Sequence, residues 1–136
     1  MNDLRSIPAY LMRGGTSKGL IFHKKDLPND RNLLTEYLLK IMGSPDIRQI
    51  NGIGGGTSVT SKVCIISKSL QKDVDIDYFF AQVEVDRKHV DYAPTCGNML
   101  SALGPFAIEE GLVEIRNEIT QVNVCLLYTS DAADDA

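Results

Sequence analysis

Three features predict an α+β fold: short apolar runs of strand length, two segments with helical spacing of apolar residues, and the Gly-rich turns that separate them. Ser6 to Arg13 reads as a first strand, ended by the turn Gly14-Gly15-Thr16-Ser17, and Leu20-Ile21-Phe22 as a second. Leu33, Leu34, Tyr37, Leu38 and Ile41 recur at helical spacing, which places an amphipathic helix over Asp30 to Met42. Gly43, with Pro45 just beyond it, supplies the stop.

A loop rich in Gly, Ser and Thr, Asn51 to Ser61, feeds the strand Lys62-Val63-Cys64-Ile65-Ile66-Ser67. Val74 to Val85 reads as a long, half-exposed strand, bulged at Phe79-Phe80, and Asp86-Arg87-Lys88 turns it back into His89 to Tyr92. A second helix runs from about Met99 to Glu110. Its apolar residues Met99, Leu100, Leu103, Phe106, Ala107 and Ile108 cover most of the circumference, so the fold should wrap it on several sides. Pro105 is expected to kink it or to leave its first turn separately oriented. Glu109 and Glu110 fall where the helix dipole disfavours acids and are expected to be solvated, as are His23 and His89. A last strand begins at Ile119 to Val124.

The final twelve residues, 125–136, do not read as part of this pattern. Cys125-Leu-Leu-Tyr-Thr-Ser-Asp-Ala-Ala-Asp-Asp-Ala136 resembles one reading frame of a transposon-type sequencing adapter, so residues 1–124 are taken as the natural, N-terminal part of a longer protein.

Bulk properties exclude several function classes. A 43% hydrophobic content and a mean hydropathy of −0.08 describe an ordinary globular chain. No stretch approaches the roughly 18 apolar residues of a membrane span, and Met1 to Arg5 carries no signal-peptide core, so a cytoplasmic location without a membrane partner is expected. A net charge of −4 leaves no basic footprint for nucleic acid. The three cysteines have neither CxxC spacing nor Cys/His companions, which argues against a disulfide framework or a metal site.

The Gly-rich turns invite nucleotide readings, and both fail. A P-loop requires Gly before its Lys, but Ser17 precedes Lys18 and Ser61 precedes Lys62; a GxGxxG pattern from Gly52 meets Thr57 where its third Gly belongs. A carboxylate site fits better. Cys96-Gly97-Asn98 opens the second helix, where free N–H groups and the positive dipole end attract anions, and Gly97 lets a ligand approach the backbone. The same end favours a thiolate at Cys96, although a small buried cysteine beside a cap has the same appearance. Cys64, between Val63 and Ile65, belongs to the core. Lys62 opens an apolar strand instead of sitting on a charged face. Beside a helix N-terminus, lost solvation and positive potential favour the neutral amine that a base requires, while an ordinary lysine at a strand end would instead extend to water.

Met12-Arg-Gly-Gly-Thr-Ser-Lys-Gly19, Gly52-Ile-Gly-Gly-Gly-Thr-Ser-Val-Thr-Ser-Lys62 and Cys96-Gly-Asn-Met99 together closely resemble the PrpF family, in that family's order and over about Ser6 to Val124. The family contains 2-methylaconitate cis–trans isomerase and 4-oxalomesaconate tautomerase. The resemblance implies a diaminopimelate-epimerase-like fold: two similar domains, each a set of strands rolled around a central helix, with the active site between them. It implies that Lys62 is the essential lysine and Cys96 the cysteine facing substrate, and that Gly97, Asn98 and Met99 cradle a carboxylate while Ser17 contacts substrate. It implies a small carboxylic acid as partner and no cofactor. Two alternatives stay open: an amino-acid epimerase or racemase, for which the second cysteine is missing, and a carboxylate-binding accessory protein without turnover.

Overall fold

The computed structural model describes residues 4–127, which form one six-stranded mixed sheet with a helix on each face. Strands β1 (Tyr10–Gly14) and β2 (Ser17–His23) make an antiparallel hairpin through the two-residue turn Gly15-Thr16. A 3-10 turn, Lys24–Asp26, leads to helix α1 (Arg31–Met42). The chain then returns as β3 (Lys62–Lys68), parallel to β2, so α1 serves as the crossover that a parallel pair requires. Strand β4 (Ile76–Val83) runs antiparallel to β3, and its far edge is shared by β5 (Val90–Asp91) and β6 (Val124–Leu127). Helix α2 (Gly97–Glu109) lies between β5 and β6 in the chain.

Side chains that alternate along each strand divide the core in two. Leu20, Phe22, Val63, Ile65, Phe79 and Ala81 meet Leu34, Leu38, Leu39 and Met42 of α1. Ile21, Cys64, Ile66, Tyr78 and Phe80 meet Met99, Ala102, Leu103, Phe106 and Ala107 of α2. Each fully buried Leu or Phe of this kind stabilises the fold by about 1.5–3 kcal/mol relative to an exposed one.

Helix α1 matches its expected limits because both ends are capped. Asp30 Oδ2 accepts from the Leu33 N–H at 2.9 Å, and Gly43 ends the helix in the left-handed region. Its buried stripe is Leu34, Leu38, Leu39 and Met42; Leu33, expected on that stripe, is exposed. Helix α2 begins two residues before the expected Met99, because the Cys96 thiol itself serves as the cap, and it continues through Pro105 without a break. That proline is exposed, on the side of the helix turned away from the sheet. Strand β4 corrects the reading of a half-exposed, bulged strand. Its register with β3 runs uninterrupted from Lys62↔Gln82 to Lys68↔Ile76, and because helices cover both faces, Phe79 packs toward α1 and Phe80 toward α2. The last strand starts at Val124 instead of Ile119, which is exposed. Its residues Cys125 to Leu127 pair with Asp77 to Phe79 of β4; the rest of the segment read as foreign lies outside the described residues.

The far end of α2 also departs from expectation. Glu110 is bound rather than solvated: Tyr10 donates its hydroxyl to Oε2 at 2.8 Å, and His23 Nε2 meets Oε1 at 2.6 Å. The Phe106 ring packs against both partners, with ring centroids 5.3 Å away in each case. The hydrogen bond from His23, and then that from Tyr10, hold the Glu110 carboxyl below the usual glutamate range.

Candidate active site at the N-terminus of helix α2

The hairpin β1–β2 and the start of α2 meet closely because Gly14 has no side chain. A Cβ there would collide with the Asn98 carbonyl oxygen and come within 2.8 Å of Met99 Cα. Asn98 Nδ2 donates to Thr16 Oγ1 at 3.1 Å, tying the helix to the turn. Cys96 is buried at the junction. Its Sγ accepts from the Met99 N–H at 3.4 Å and lies 3.9 Å from Ser17 Oγ, itself only 2% exposed. From the sheet, Tyr78 donates its hydroxyl to the Cys96 carbonyl at 3.2 Å, and the Cys64 thiol stands 3.7 Å from that hydroxyl. Burial pushes the Cys64 thiol up to about 12, as befits a core residue.

Of the four N–H groups that a helix start leaves over, those of Cys96 to Met99, Met99 uses its own on Cys96 Sγ, while the Leu100 N–H makes the first bond of the helix, to the Cys96 carbonyl. Among the described residues the N–H groups of Gly97 and Asn98 have no partner, and a Cβ at Gly97 would meet no atom within 4 Å. These two donors therefore face open space at the positive end of the helix dipole. Met99 differs from its expected role in cradling a carboxylate: its side chain is fully buried in the core and its N–H is already occupied.

Lys62 opens β3 on the same face. It stands between Gly19 of β2 and Gln82 of β4, and residues in register across a sheet share a face. A Cβ at Gly19 would collide with the Lys62 carbonyl oxygen and come within 3.1 Å of Lys62 Cβ, so that glycine lets β2 approach the start of β3 closely. Lys62 Nζ donates to Gln82 Oε1 at 2.8 Å and sits 5.2 Å from the centroid of the Phe80 ring. No hydrogen bond joins Lys62 to Cys96 among the described residues; Cys64 and Tyr78 lie on the face between them.

The structure thus gathers Ser17, Lys62, Cys96, Gly97 and Asn98 at one end of the α2 face. Sequence reasoning missed Gln82 and Tyr78. Their signal was the alternation Tyr78, Phe80, Gln82, which puts polar atoms at both ends of an apolar face. A cavity of about 500 Å³ lies on the opposite side of the sheet, lined by Leu27, Pro28, Arg31 and Phe79, and none of the candidate residues reaches it. Its charged lining residues are Lys24, Asp30 and Arg31; Asp30 caps α1, and the Arg31 guanidinium lies over the Phe79 and Tyr92 rings. Among the described residues no three His, Cys, Asp or Glu side chains gather as a metal site would require.

A lysine, a buried thiol and two helix-start donors without a partner thus lie on one face of an α+β sheet. Comparison with known proteins gives the family. The PrpF protein family model matches residues 4–132. The chain is 53% identical over 127 residues to 4-oxalomesaconate tautomerase of Pseudomonas putida KT2440, covering 93% of this chain and 35% of that protein. It is 47% identical over 114 residues to 2-methyl-aconitate isomerase of Cupriavidus necator, covering 79% of this chain and 29% of that one. A crystal structure of methylitaconate-delta-isomerase superposes with a TM-score of 0.86 at 45% identity, covering 89% of this chain and 31% of that one. This chain belongs to the PrpF family. It spans about a third of the length of the curated relatives it matches.

Proposed function

We propose that this chain is the N-terminal part of a cofactor-independent isomerase that moves a proton within an unsaturated di- or tricarboxylate. The observation that carries the reading is the placement of Lys62 on the face where the free N–H groups of Gly97 and Asn98 open to solvent. A proton next to a carboxylate, or conjugated to one through a double bond, is weakly acidic, and its removal sends charge onto the carboxylate oxygens. Donors held at the helix start stabilise that charge without reorganising, and one such donor is worth about 2.7–4 kcal/mol in related sites. Lys62 takes the proton and returns it at the far end of the allylic system. Cys96 and Ser17 line the same end, and the named substrates of the relatives, oxalomesaconate, methylaconitate and methylitaconate, share the unsaturated acid that this chemistry needs.

The same reading extends to the fold. The outer side of α2 is covered only in part: Thr120 and Val122 to Val124 face Leu100, Ser101 and Gly104 across a shallow cavity, while Leu100 is 38% exposed and Ser101 and Pro105 are exposed beside it. That supports a helix wrapped by strands still to come, and a site completed by a second domain across an open half-cleft. A cytoplasmic location accords with the chemistry, and no helix among the described residues is long and apolar enough to cross a membrane.

The test is turnover of oxalomesaconate, 2-methylaconitate and methylitaconate by the full-length protein, followed by NMR. Interconversion of one of these acids is expected. Binding of the acids without interconversion would favour the accessory-protein reading, and inversion of an amino-acid centre would favour an epimerase.

A further inference from the structure

Gln82 holds Lys62 in an arrangement that its amide can adopt in only one way. Both protons of the Gln82 NH₂ group are committed: Nε2 donates to the Ser58 carbonyl at 2.9 Å and to the Ser61 carbonyl at 3.1 Å. A flipped amide would set its oxygen against those two carbonyls and its NH₂ against the lysine nitrogen. Oε1 is therefore fixed toward Lys62 Nζ, which donates to it at 2.8 Å. Ser58 and Ser61 belong to the Gly-rich loop, whose own shape is secured by the buried Gln49. That side chain donates to Ser61 Oγ at 2.8 Å and accepts from the Gly56 N–H at 2.9 Å. Loop, glutamine and lysine thus form one connected unit.

We propose that Gln82 is a positioning residue for the proton transfer, aiming the lysine nitrogen by accepting one of its N–H bonds. An amine donates one N–H to Oε1 whether it is neutral or protonated, so the contact survives the transfer. In the neutral amine, spending one N–H on Gln82 turns the lone pair away from Oε1. A glutamine suits this better than a carboxylate, because an acid opposite Lys62 would favour the ammonium form and would repel the two carbonyls that NH₂ now serves. The proposal rests on the reading of Lys62 as the base.

The experiment compares Gln82→Met, Gln82→Glu and Lys62→Ala in the full-length protein, with kcat and KM measured across pH and thermal unfolding as the check on folding. Gln82→Met is expected to lower kcat by about a hundredfold, the loss typical of a misaimed group, with KM little changed. Gln82→Glu is expected to move the acid limb of the pH–rate profile to higher pH, a shift that a merely structural role would not produce. Wild-type kcat and an unmoved pH profile in both folded variants would overturn the positioning role. If Lys62→Ala is inactive in that same assay, the lysine reading survives that failure; an active Lys62→Ala removes both. Should neither Gln82 variant fold, a crystal structure of the full-length wild type with bound acid decides. Oε1 within hydrogen-bond distance of Nζ supports the role, and an amide turned away from the lysine overturns it.

Discussion

Lys62 and Cys96 stand at the same end of the α2 face but in different surroundings, and those surroundings separate their roles. The lysine is half-buried, with one hydrogen bond, to Gln82, and the Phe80 ring beside it. The cysteine is buried and already occupied as the cap of α2. In the full-length protein, Lys62→Ala is expected to lower kcat by about 10²- to 10⁴-fold, the worth of a general base, while acid binding measured by calorimetry is largely kept. Cys96→Ser is expected to lose far less, since a hydroxyl caps a helix start well. A Lys62→Ala enzyme with near-normal kcat would mean that the base lies elsewhere. The lysine was legible because a charge opening an apolar strand is conspicuous. Gln82 was not, because its importance comes only from the register that places it opposite.

Among the elements, α2 is held at both ends by different chemistry. At its start, the absent side chain of Gly14 and the Tyr78 hydroxyl fix the helix to the sheet. At its end, Tyr10 and His23 hold Glu110. The Glu110 carboxyl titrates lower in the folded protein than in the unfolded chain, so the unfolded state takes up its proton first as the pH falls. The stabilisation is therefore complete above the ordinary glutamate range and is lost as the pH falls through the depressed folded value. Chemical denaturation at a series of acid pH values should show Glu110→Gln less stable than wild type near neutrality, with the gap closing as the medium becomes acidic. A gap that stays constant with pH would show that the Glu110 carboxylate contributes nothing through its charge. This clamp escaped the sequence because Tyr10 and His23 lie 100 and 87 residues from their partner. The start of α2 was placed two residues late because a thiol is an unusual cap, whereas Asp30 and Gly43 marked α1 with ordinary capping residues.

For the whole molecule, the alternation of apolar residues carried the strand count and the α+β class, but not the covering of both sheet faces. A strand buried on both sides and one half-buried with a bulge look alike at Phe79-Phe80; only the paired helices decide between them. The three Gly-rich segments, distant in sequence, meet because β2 and β3 run parallel in register and α2 docks against the first hairpin. That meeting underlies the central claim, that a carbon-bound proton is moved within the acid. The most direct test is NMR of the full-length protein turning over an acid deuterated at its allylic carbon in ordinary water. Proton transfer predicts that deuterium leaves that carbon, whether it washes out to solvent or reappears at the far end of the allylic system. Complete isomerisation with all the deuterium still on its original carbon would contradict the account, because rotation about the double bond would then suffice without any base.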